Sequence, residues 1–188
     1  GSEQKGFFVA LGSLMASEWN VTFVAENKYT EEMINKHRTF DNSSVTVLPE
    51  RRLKPIVDEG TFVKAKQLEE KYSIKMSLLS SQDRALGYGY LLNVEKYPYI
   101  KRASWTHGEK LQSIVDQFEF FEHALSGIDV FISQWPLPIV SLVAGNRGID
   151  HYHLSQVKYG NRYFWSSDNY QGSLWYRHLL AINLNECH

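Results

Sequence analysis

The sequence predicts an α/β fold, a parallel sheet with helices packed on its faces. Three observations carry that expectation. Helix-like and strand-like patterns alternate twice, once near the start of the chain and again after residue 128. The strand-like segments, such as "NVTFVAEN" and "IDVFISQ", are short apolar runs containing β-branched residues, which suits strands buried on both faces. Polar or proline-containing turns then lead into helical patterns, the way parallel strands joined by crossover helices read.

Phe7, Leu11, Leu14 and Met15 recur at helical spacing, so Gly6 to Ser17 reads as a helix broken by Asn20. Asn20 to Asn27 is then a buried strand. In "YTEEMINKHRTF", Thr30 is expected to cap a second helix whose first turn holds Glu31 and Glu32. "SSVTVLPE", Ser43 to Glu50, is the next strand, stopped by Pro49. Such a domain ordinarily opens on a strand, so the natural protein is expected to start earlier, with its first strand missing here.

From Glu59 to Gly127 the pattern is mostly helical. "FVKAKQLEEKYSI" is amphipathic. "GEKLQSIVDQFEFFEHALSG" sets Leu111, Ile114, Val115, Phe118, Phe121 and Leu125 on one stripe, with Gly127 as its stop. Between them "SSQDRALGYGYLLNVEKYPYIKRASWTH" reads as a long shaped connection. The alternation resumes with Ile128 to Gln134 as a buried strand. "PLPIVSLVAGNRG" is a helix entered through Pro136 and Pro138 and closed near Gly145 to Gly148. "DHYHLSQV" is a further strand, and "YQGSLWYRHLLAINLN" a last helix. The sum is one Rossmann-like, three-layer domain over 1–188.

Composition narrows the function classes. A hydrophobic fraction of 43% supports a packed core rather than a disordered chain. A formal net charge of -1 supplies no field to draw in DNA or an anionic membrane, and no nucleic-acid partner is expected. The single cysteine, Cys187, allows no internal disulfide and fits a reducing cytosol. "GFFVALG" and "LPIVSLVAG" are too short to span a bilayer, and the early polar residues fit no signal peptide.

In an open α/β sheet, ligands bind beyond the carboxyl ends of the strands. Three loops are expected there: Glu26-Asn27-Lys28, Ser133-Gln134-Trp135, and the aromatic, polar stretch "KYGNRYFWSSDNYQG". Ser133, Gln134, Asn161, Arg162 and Asp168 from these loops can hold a polyhydroxylated ligand, with aromatic faces against sugar C–H surfaces. The alternative is that Ser133 and Asp168 merely cap the following helices and that Arg162 is a surface charge. In the middle connection, Asp83 and Arg84 either pair with each other or act separately, Asp83 as a general base and Arg84 as an anion contact. Glu95 is a weaker version of the same idea. His151 and His153 share one face of a strand beside Asp150, which fits packing better than a metal site, since no further ligand has recognisable spacing.

"FFVALGSLMASEWNVTFVAEN", "LEEKYSIKMSLLSSQDRALGYGY" with "NVEKYPY", and "RGIDHYHLSQVKYGNRYFWSSDNYQG" together resemble bacterial glycosyltransferases of capsular and surface polysaccharide biosynthesis with the two-domain GT-B fold. The resemblance covers most of the chain as the N-terminal, acceptor-side half of such an enzyme. It implies a carbohydrate acceptor as ligand, a missing C-terminal domain that binds the nucleotide-sugar donor, and no further cofactor or metal. It also implies a fragment that does not catalyse transfer alone. The expected setting is the cytoplasm, with peripheral attachment of the full protein to the inner face of the membrane left open. Two other readings stand beside it. Gly6 and Glu26 are spaced as the end of a glycine fingerprint and a ribose-binding acid, which would make a nicotinamide-dependent oxidoreductase domain. The third is a non-catalytic carbohydrate-binding or scaffold protein of envelope assembly.

Overall fold

The computed structural model describes residues 2–37, 43–48, 54–82, 105–134, 137–156 and 163–167. It is an α/β protein whose chain divides into two compact units, residues 1–120 and 121–188.

The first unit opens on α1 (Ser2–Met15), β1 (Val21–Ala25), α2 (Lys28–His37) and β2 (Ser43–Val47). β1 and β2 pair in parallel, from Val21 opposite Ser43 to Ala25 opposite Val47, with α2 as the crossover. Their core is Val9 of α1, Ala25 of β1 and Ile34 of α2, with Phe23, Met33, Val45 and Val47 packed around it. Gly12 lets α1 lie directly on β1. A Cβ there would come within 2.5 Å of the Phe23 ring.

One expectation is corrected at α2. Thr30 is not the cap. The Asn27 side-chain oxygen accepts the Thr30 amide at 2.9 Å and the Thr30 hydroxyl at 3.1 Å. The helix begins at Lys28, so Asn27 caps it and Thr30 is the capped residue in its first turn.

α3 (Thr61–Tyr72), α4 (Met76–Gln82) and α5 (His107–Ala124) follow. α5 starts on a capping box: the Thr106 amide donates to the Glu109 carboxylate at 2.8 Å, and the Glu109 amide donates to the Thr106 hydroxyl at 3.3 Å. The expected stripe of α5 is buried at Ile114, Val115, Phe118, Phe121 and Leu125, whereas Leu111 is half-buried. The helix also buries Lys110, Gln112, Ser113 and Gln117, so its protected surface is wider than an amphipathic pattern conveys. Gln112 explains part of that width. Its amide oxygen accepts the Thr61 hydroxyl and the Asp58 amide, and its nitrogen donates to Asp116 at 2.6 Å, tying the start of α3 to α5. Nearby, Tyr72 stacks on Phe118 with ring centroids 4.9 Å apart.

The second unit carries β3 (Val130–Ser133), α6 (Pro138–Arg147), β4 (Asp150–Gln156) and β5 (Tyr163–Ser166). β3 and β4 are parallel with α6 as crossover, and β5 pairs antiparallel to β4. The sheet is therefore mixed in the order β3-β4-β5, where the sequence suggested parallel strands alone. α6 has Pro138 in its first turn and ends at Gly148, whose φ of 69° is left-handed. Ile139, Val140, Val143 and Ala144 of α6 are buried, as is Ile149.

Candidate functional site

The second unit holds a buried polar cluster near the carboxyl end of β3. Ser133 closes β3, so its side chain stands at the carboxyl end of a parallel strand. It is register partner of His153 on β4, and His153 is in turn partner of Ser166 on β5. All three are buried. His151, two residues before His153, shares that face of β4. Its ring centroid lies 6.0 Å from that of His153 and 5.5 Å from that of Phe131.

The His151 ring is held from both sides. Nε2 is 2.9 Å from the Ser133 hydroxyl, and Nδ1 is 3.0 Å from the Ser141 hydroxyl of α6. Ser141 also donates to the Leu137 carbonyl one helical turn back, at 3.3 Å. Serine and histidine thus link β3, β4 and α6 through one chain of hydrogen bonds. Burial, with the neighbouring charge of His153 second, pulls the His151 pKa down from 6.5 to about 4. The ring is neutral at pH 7. Its two nitrogens each lie within hydrogen-bonding distance of a serine hydroxyl, and among the described residues no group of three or more His, Cys, Asp or Glu is placed to hold a metal ion.

Of the residues expected at the site, Ser133 and Gln134 lie among the described ones. Ser133 does not cap the next helix. That helix begins five residues on at Pro138, and the Ser133 hydroxyl is engaged with His151 instead. Gln134 follows directly and is half-buried. Asp83, Arg84, Glu95, Asn161, Arg162 and Asp168 lie outside the described residues. The other strand end, Glu26 and Asn27 after β1, belongs to the first unit. Glu26 is exposed there, and the Asn27 side chain is committed to its helix cap. Gly6, the other half of the nucleotide-fingerprint idea, lies inside α1.

The aromatic stretch is corrected in part. Tyr163 to Ser166 is not a loop but an antiparallel strand, with Trp165 opposite Leu154 and Ser166 opposite His153. Strand alternation accounts for its mixed composition: Ser166 is fully buried while its neighbour Trp165 is 38% exposed. The sequence read His151 as a packing residue, and it is buried, but its hydrogen bonds to Ser133 and Ser141 were not foreseen. The available signal was a serine on the strand, a histidine at alternating spacing on the next, and a serine on the helix between them.

The fold defines this chain as an α/β protein built on two β-α-β units. Compared with known proteins, it matches no family model, no curated protein sequence and no solved structure.

Proposed function

We propose that this chain is the acceptor-binding half of a glycosyltransferase acting on surface polysaccharide, with 1–188 as a Rossmann-like, three-layer domain of a GT-B fold. The observation that carries the reading is the carboxyl end of β3. There a parallel strand delivers Ser133 and Gln134 where open α/β sheets receive ligands. The sequence resemblance supplies the substrate class, and the hydrogen-bonding chemistry of a hydroxyl and an amide suits a polyhydroxylated acceptor.

Transfer requires the acceptor hydroxyl to lose its proton as the sugar–phosphate bond breaks, and the departing diphosphate to be stabilised. In this reading Asp83 takes the proton, and Arg84, Asn161, Arg162 and Asp168 join Ser133 and Gln134 in holding the acceptor. A second domain binds the nucleotide-sugar donor. No cofactor is assigned to this half.

Saturation-transfer NMR tests the reading. Oligosaccharides of surface-polysaccharide type should receive saturation from the protein, and Ser133→Ala or Gln134→Ala should weaken the transfer. A response to NAD with none to any sugar would favour the oxidoreductase reading and end this one.

A further inference from the structure

We draw no further inference here: the strongest candidate, the exposed apolar surface patch that Phe7 and Leu14 form two turns apart on α1, with Trp19 just beyond the helix, carries nothing because nothing among the described residues shows what covers it.

Discussion

At the scale of single residues, the side chains that matter most hold backbone ends or each other in place. Asn27 is one. Its carboxamide occupies the open amides at the start of α2, and the sequence misassigned the task to Thr30 because both residues are good caps three positions apart. Only the helix start at Lys28 separates the two readings, and helix ends are set by the competition itself. Asn27→Ala should cost about 1 kcal/mol in urea unfolding, whereas Asn27→Asp should cost much less. Equal losses in the two variants would show that the carboxamide is not acting as the cap. Gly148 is a second such residue. Its positive φ closes α6, and Gly148→Ala should lower stability by about 1 kcal/mol from backbone strain, despite open space around it. Asp83, by contrast, is a claim about chemistry. On the proposed glycosyltransferase function, Asp83→Ala in the full-length protein should reduce transfer by about an order of magnitude or more, the worth of a general base, with the melting temperature unchanged.

At the scale of elements, the sequence was most legible where a pattern repeated. β1, β2, β3, β4 and α6 lie close to where apolar runs, prolines and glycines placed them. β5 was missed because strand alternation over four residues looks like a decorated turn when the strand carries a polar residue such as Ser166, paired in register with His153 of β4. α5 was found, but its burial was underestimated. Periodicity counts apolar residues, whereas Gln112 is protected because it satisfies Thr61 and Asp58. The start of α5 was legible in principle, since "THGE" is a capping-box signature. The same helix yields a stability prediction. Phe118 is fully buried and stacked on Tyr72, so Phe118→Ala should cost about 3–5 kcal/mol by loss of transfer energy and creation of a cavity. Leu111→Ala, at a half-buried position of the same predicted stripe, should cost clearly less. Similar losses at both positions would restore the simple amphipathic picture.

At the scale of the whole molecule, the polar interior of the second unit makes stability depend on pH in a defined direction. His151 has a folded-state pKa of about 4 against 6.5 for the free group, because burial and the nearby His153 disfavour its charged form. Between those values the unfolded chain takes up a proton that the folded ring resists. The stabilisation is therefore fully present above about pH 6.5 and is lost as the pH falls toward 4. A shift of that size corresponds to at most about 3 kcal/mol, a large share of a typical domain's stability. The carboxylates with lowered pKa act in the same direction but at lower pH. Glu69 is held down chiefly by the Met76 amide and Glu109 by Lys54, so their contributions fade only as the pH drops below the ordinary carboxylate value of 4.5. The two windows are separable. Thermal or urea unfolding from pH 7 to 5 should show a steady loss of stability in the wild type and a shallower slope in His151→Gln, which cannot take up the proton. The curves should converge between about pH 6.5 and 4 and run parallel below that, where His151 is protonated in both the folded and unfolded chains and the carboxylates titrate alike in both variants. If His151→Gln retains the full wild-type slope between pH 7 and 5, His151 is not the group that couples this fold to acid.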